Sequence, residues 1–362
     1  MGIIQLANLD FEAHLGGRAV TGDVAVGRQE AASRLFALCG PPHSEVLVSH
    51  GHELVPLDAE RLRAQARELG FYEPAWCSAA AWNLGARELL AYAQDERAHA
   101  LARDRKLRAA LTSPGVVSAV NSKAWSSRVA REAGLDRDAF SHVRLIHSEQ
   151  ELKDHLKQVP EVLAARWTLK PLLGFAGGGR IGGGAEGMDA RHTERFATLL
   201  REDGAMLWEP WVEREADFST QIHVDAVRGV SVLMHGEMLN TTSGRYTGNR
   251  SLTAGATAWP TLLRDLEHGA RVVGASLQRE GYAGVAGIDA FTYRDPLTGA
   301  LSVRPIVEVN ARFTMGLMAG HLANMAMACG TFPPGSSWSF TLDSKHLLGI
   351  WQYGPPAAET AG

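Results

Sequence analysis

Two hydrophobic periods divide the chain between strands and helices. Apolar and polar residues alternate at a period of two in DFSTQIHVDAV, in GVSVLMHGEML and through GYAGVAGIDAFTYRDPLTGALSVRPIVEVNARFTMG, Gly281 to Gly316. That alternation predicts half-buried strands, the last stretch forming two across a hairpin. Helical spacing runs through Asp58 to Leu69, with Leu57, Leu62 and Leu69 on one side. It returns from Thr261 to Glu280 through Leu262, Leu266, Val273 and Leu277, and again in the apolar run LMAGHLANMAMACG, where His321 reads as a packed or orienting histidine.

The first 110 residues or so alternate shorter elements. A strand from Gly2 to Leu9 precedes a helix over Gln29 to Leu38, the strand EVLVSH and the helix from Asp58. A helical run beginning near Asn83, interrupted at some point, is stopped by Ser113-Pro114-Gly115. The next segment places Lys123 immediately before a helix ending near Gly134. Val143 to Ile146 is extended, Ser148 and Glu151 form a capping box, and Leu152 and Leu156 make an i,i+4 pair. A strand ending near Lys170, an exposed loop, the helix HTERFATLLRE and the strand AMLWEPWV follow. NTTSGRYTGNRSLTAGATAWP has little helical pattern and predicts a loop, either at a site or ordinary, while PPAAETAG predicts a fraying tail. The expected organisation is α/β in three units, 1–112, 113–208 and 209–362.

Composition narrows the function classes. The 362 residues, 45% hydrophobic, can fill cores of that number. Lys and Arg total 36 against 40 Asp and Glu, a net charge of -4, which argues against a generally basic surface for nucleic acid. Cys39, Cys77 and Cys329 are far apart, odd in number and without metal-ligand spacing, so they read as buried thiols in a reducing compartment. No apolar run is long enough to span a bilayer, and Asp10, Glu12, Asp23 and Glu30 interrupt the region where a leader would sit. A cytoplasmic protein acting on neither nucleic acid nor membrane is expected.

The candidate chemistry lies in two places. Alternation puts Glu308, Asn310 and Arg312 on one face of the last strand, opposite Val307, Val309 and Ala311, with Asp289 across the hairpin. Two carboxylates, an amide and a guanidinium there can hold a divalent cation and the phosphates bound to it. The second place is GGGRIGGG, Gly177 to Gly184, with six glycines in eight positions. Such a loop lets consecutive amides approach a phosphate chain, or else is a mobile surface loop. Its spacing is not that of a P-loop, and the first unit contains no convincing GxGxxG.

Taken in this order, the features resemble the ATP-grasp superfamily, and in particular its ATP-dependent carboxylate–amine ligases. Lys123 matches the family's first phosphate-contacting lysine and Lys170 its second. GFAGGGRIGGG matches the flap, including Gly177, Gly178, Gly179, Gly182 and Gly183. EPWVEREADFS resembles the adenine hinge, and Asp289 with Glu308-Val309-Asn310 the metal-binding pattern. The resemblance covers roughly residues 110 to 330. The unit before it resembles the Rossmann-like domain that usually precedes this fold.

The resemblance implies ATP and Mg²⁺ as cofactors. Asp289, Glu308 and Asn310 would be the metal ligands, and Lys170, Arg312 and Arg250 the catalytic cations. At the hinge, adenine would meet main-chain groups of Glu209, Pro210, Trp211 and Val212, Trp211 packing near the base or in the core. Glu215 or Asp217 would bind the ribose. The implied reaction activates a small-molecule carboxylate, such as that of an amino acid or peptide, as an acyl phosphate, which an amine then attacks. His223 and His235 are weak candidates for the base, a homodimer is compatible with such an enzyme, and a kinase, a thiol ligase or a regulatory ATP-binding protein remain alternatives.

Overall fold

The structure is a computed structural model and describes residues 3–15, 23–40, 44–50, 53–68, 87–174, 179–241, 246–252, 261–342 and 349–356. Its first unit contains β1 (Ile4–Ala7), α1 (Phe11–Leu15), α2 (Asp23–Leu38), β2 (Glu45–His50), β3 (Glu53–Leu57), α3 (Ala59–Glu68), β4 (Leu89–Ala91) and α4 (Glu96–Asp104). The sheet order is β3-β2-β1-β4, with β2 and β4 parallel to β1 and β3 antiparallel at the edge. Every residue of β1 is buried, as a parallel strand covered on both faces requires. One expectation is corrected: Leu89 to Ala91 is not helical. Pairing with β1 overrides its helix propensity, and the helix starts afresh where Asp95 accepts a hydrogen bond from the Ala98 amide.

Helices α5 (Pro114–Val120) and α6 (Lys123–Glu132) lead to the second sheet. Its elements are β5 (Arg144–Ile146), α7 (Glu149–Gln158), α8 (Glu161–Ala164), β6 (Trp167–Pro171), β7 (Ile181–Gly183), α9 (Ala190–Asp203) and β8 (Met206–Pro210). The order is β5-β8-β6-β7, antiparallel throughout. Ser148 caps α7 by accepting from the Glu151 amide at 3.1 Å, and Gly204 ends α9 at φ 73°.

The third sheet is larger. It is built from β9 (Glu213–Asp225), β10 (Gly229–Asn240), β11 (Tyr246–Ser251), β12 (Gly284–Arg294), β13 (Leu301–Asn310), β14 (Ser336–Thr341) and β15 (Ile350–Pro356). Helix α10 (Leu262–Arg279) separates β11 from β12, and α11 (Met315–Ala328) separates β13 from β14. The antiparallel order is β13-β12-β9-β10-β11-β14-β15. The loop expected after Asn240 therefore contains a strand, β11, held between β10 and β14 on both edges. The tail also begins in a strand, since Pro355 and Pro356 belong to β15, while 357–362 lie outside the described residues.

Two cores meet along β12. Val285 and Ile288 join the core that runs from Phe11 and Phe36 through Trp125 and Val129 to Leu277 and Phe340. Phe291 and Tyr293, a few residues on, pack with Trp167 and Trp208 of the second sheet. Between these two stretches the β12–β13 register shifts, next to Asp289 and close to Pro305, which has no amide to give a ladder. The hairpin thus crosses from one core to the other at its polar positions.

Within the expected glycine loop, Ile181 to Gly183 form β7, paired with Trp167 to Leu169. A Cβ on Gly183 would lie 2.1 Å from the Trp167 indole, which is buried and cannot move aside. Gly183→Ala is expected to lower unfolding free energy by about 1–3 kcal/mol through overpacking, measured by denaturant melting, and an unchanged midpoint would contradict this packing role.

Candidate functional site

A cavity of about 270 Å³ opens where the two cores meet; it takes side chains from strands of the second and third sheets and from α1, α2 and the segments that follow β1 and β4 in the first unit. Asp289 and Glu308 stand directly opposite one another on β12 and β13. Asn310 donates from Nδ2 to Asp289 Oδ2 at 3.3 Å. Burial, reinforced by the Glu308 charge, pushes the Asp289 carboxyl up to about 7. Facing carboxylates in a buried site disfavour each other's charge, and a cation between them relieves that cost.

Helix α6 brings the first lysine to this face. Ser122 caps the helix, Asn121 Oδ1 accepts from the Ala311 amide at 2.9 Å, and Ser126 Oγ accepts from the Val309 amide at 3.1 Å. Those bonds tie the helix start to β13 and set Lys123 Nζ 2.9 Å from Glu308 Oε1. Lys170, on β6, lines the same cavity and pairs with Glu209 of β8. Glu209 also accepts from Arg304 Nη1 at 2.7 Å. Burial raises the Glu209 pKa, but Arg304 and Lys170 outweigh it and hold the carboxyl at about 2.

Arg312 lies just past β13 at the cavity wall. Its Nε donates to Glu12 Oε1 at 2.8 Å, its Nη1 to the Tyr92 hydroxyl at 3.1 Å and its Nη2 to Asn310 Oδ1 at 3.0 Å. Glu12 and Tyr92 come from the first unit, and sequence reasoning missed both. Glu12 sits 300 residues from its partner, so no local pattern links them. Asn240, Tyr246 and Asn249 also line the cavity. Of these, Asn240 follows from the period-two pattern of β10, two residues after Met238, whereas Tyr246 and Asn249 depend on the β10–β11 register.

The remaining site residues fall on different faces. Asp217 lines the cavity, accepting from Arg214 Nη1 at 2.8 Å and Asn240 Nδ2 at 3.0 Å, whereas Glu215 pairs with Arg294 on the surface. Arg250 is corrected as a cavity residue: its neighbour Asn249 faces the cavity, while Arg250 lies on the other face of β11 and binds Glu237 at 2.7 Å. Gly182 and Gly183 are likewise strand residues rather than loop residues, so they are not free to wrap a ligand. Gly177 and Gly178 lie outside the described residues, and Gly179 occupies a turn at φ 80°.

The hinge residues are set apart as well. Among the described residues that line the cavity, Glu209, Pro210, Trp211 and Val212 are absent. The Trp211 amide donates to the Arg166 carbonyl at 3.0 Å, and its exposed ring carries the Arg166 guanidinium 4.8 Å above it, so Trp211 is neither core nor cavity wall. Val212 is buried in the second core. Cys39 is buried but Cys329 is exposed at the end of α11, which corrects the expectation for that thiol; Cys77 lies outside the described residues.

Glu209 supplies a pH dependence whose sign is fixed. Its folded value, about 2, lies below the ordinary 4.5, so between them the unfolded chain binds more protons. The contribution is complete above 4.5 and is lost as pH falls through about 2. Glu209→Gln is expected to cost on the order of 3 kcal/mol at neutral pH and to flatten the acid limb of a stability-against-pH curve from denaturant melts. An acid limb as steep as wild type in E209Q would contradict this assignment.

No family model matches the chain, and a search of curated proteins finds no match. Solved structures do match. The biotin carboxylase domain of Hydrogenobacter thermophilus 2-oxoglutarate carboxylase, solved with MgADP, ADP and bicarbonate, is similar at TM-score 0.53 and 15% identity over 94% of this chain and 74% of that one. D-alanyl-alanine synthetase A from Vibrio cholerae gives 0.54 and 10% over 91% and 97%, and carboxyaminoimidazole ribonucleotide synthase from Aspergillus clavatus, in complex with ATP, gives 0.51 and 12% over 94% and 81%. With the three sheets in this order and the cavity between them, the chain has the ATP-grasp fold.

Proposed function

We propose that this protein is an ATP-dependent carboxylate–amine ligase that forms an amide or peptide bond and releases ADP and phosphate. The observation that carries the reading is the convergence of Lys123, Lys170, Asp289, Glu308, Asn310 and Arg312 on one cavity. Solved structures of similar fold, bound to MgADP or ATP, support the nucleotide part of it.

The donor set fits a hard divalent cation. Among the described residues no cluster of three or more His, Cys, Asp or Glu side chains forms a metal site. Two opposed carboxylates nevertheless offer oxygen ligands suited to Mg²⁺, leaving positions for phosphate oxygens and water, and Asn310 would add its amide oxygen on turning from Arg312 Nη2. Bound there, Mg²⁺ would supply charge neutralisation and in-line alignment of the phosphates.

The chain's own groups do the rest. Lys123 and Lys170 are point charges able to turn from their carboxylates to phosphate oxygens. Asp217, facing the cavity, is the ribose acceptor in this reading rather than Glu215. Arg312, held by Glu12 and Tyr92, keeps a fixed positive charge beside the metal face, where the phosphoryl group would pass to the substrate carboxylate. An amine then displaces phosphate from the activated acyl group. The substrates are small molecules, with amino acids and peptides the first to try.

A panel of carboxylates and amines, followed by ADP release and product mass, tests the reading. ADP release that requires both partners and yields the matching amide is the expected result. A stable phosphorylated product formed without amine, or ATP binding with no turnover on any pair, would contradict it. Within an active pair, Glu308→Gln is expected to reduce Mg²⁺-dependent turnover by about a hundredfold or more with the fold retained. Arg250→Ala, outside the cavity, should stay within about twofold of wild type.

A further inference from the structure

Four ionisable side chains from four segments form one buried chain of charge. Glu209 of β8 divides its carboxylate, one oxygen facing Lys170 of β6 and the other accepting from Arg304 Nη1 of β13 at 2.7 Å. Arg304 Nε in turn donates to Asp136 Oδ1, in the turn after α6, at 3.1 Å. The Arg304 guanidinium lies 4.2 Å from the Phe140 ring centroid, and the residue is 1% exposed. Of the four, Lys170 alone lines the cavity.

We propose that Arg304 is a positioning residue for phosphate binding: by holding one oxygen of Glu209, it leaves Lys170 available to a nucleotide. This rests on the nucleotide reading of the cavity. If Lys170 were the sole partner of Glu209, turning it toward a phosphate would strand a buried carboxylate, which is strongly unfavourable. With Arg304 in place, Glu209 keeps a charged partner whichever way Lys170 points. Arg304 also sits four residues before Glu308 on the same strand, so one strand carries both the metal face and the support for the second lysine.

The charges around Lys170 give the idea a signature that loss of packing would not mimic. Burial lowers the Lys170 pKa most, Glu209 raises it, and Arg214 of β9 and Arg304 lower it further. Lys123, Arg180, Asp217, Asp289, Glu308 and Arg312 share the cavity and are common to every variant below. Deleting Glu209 or Arg304 breaks the same ion pair but moves Lys170 in opposite directions.

The test is MgADP affinity by calorimetry as a function of pH, with a melting curve for each protein. R304Q is expected to weaken MgADP by about tenfold and move the alkaline loss of affinity to higher pH by about one unit. E209Q is expected to move that loss to lower pH, and R304K to leave it near wild type. Should R304Q melt too low, R304Q in a D136N background removes the carboxylate that Arg304 otherwise leaves stranded, and the same displacement is expected. Limbs that shift in one direction for both R304Q and E209Q, or not at all, overturn the positioning role while wild-type binding stands. Wild-type protein that fails to bind MgADP overturns the nucleotide reading and this inference with it.

Discussion

A carboxylate as deeply buried as Glu209 keeps its charge only because two cations from other strands face it. Lys170 comes from the small antiparallel sheet and Arg304 from the large one, so the ion pairs fasten one lobe to the other beside the cavity. Desolvation makes each of these charges costly alone, and together they are mutually dependent. The aromatic residues around them, Phe140, Phe291 and Tyr293, keep water out and so raise the stakes of that dependence.

A second electrostatic conflict faces the first across the cavity. Asp289 and Glu308 oppose one another; Lys123 pairs with Glu308, while Asp289 accepts from Asn310 and feels Arg312 only through its charge. The fold holds this arrangement because Asn121 and Ser126 fix the helix to β13, independently of any ligand. Opposed carboxylates of this kind suit a site that binds a cation, as the proposed function requires.

Much of this was legible in the sequence because strand alternation states which side chains share a face. Glu308 and Asn310 needed only a period of two, and Asp289 only a hairpin. The capping box of α7 and the helix after Lys123 followed from local chemistry. Partners that depend on tertiary register were illegible: Glu12 meets Arg312 across 300 positions, and Arg304 meets Glu209 across 95. Arg250 misled because a Thr- and Gly-rich composition hid a strand, and in a strand the neighbouring residue, Asn249, takes the opposite face. The glycine run misled similarly, since part of its small-residue composition serves the Trp167 indole rather than a ligand.

In the proposed function the cavity holds a nucleotide through a cation on Asp289, Glu308 and Asn310. Calorimetric titration with a non-hydrolysable ATP analogue, with and without Mg²⁺, tests it most directly. One site per chain is expected, with affinity strengthened by about tenfold or more when Mg²⁺ is present. Absence of binding, or binding indifferent to Mg²⁺, would contradict it.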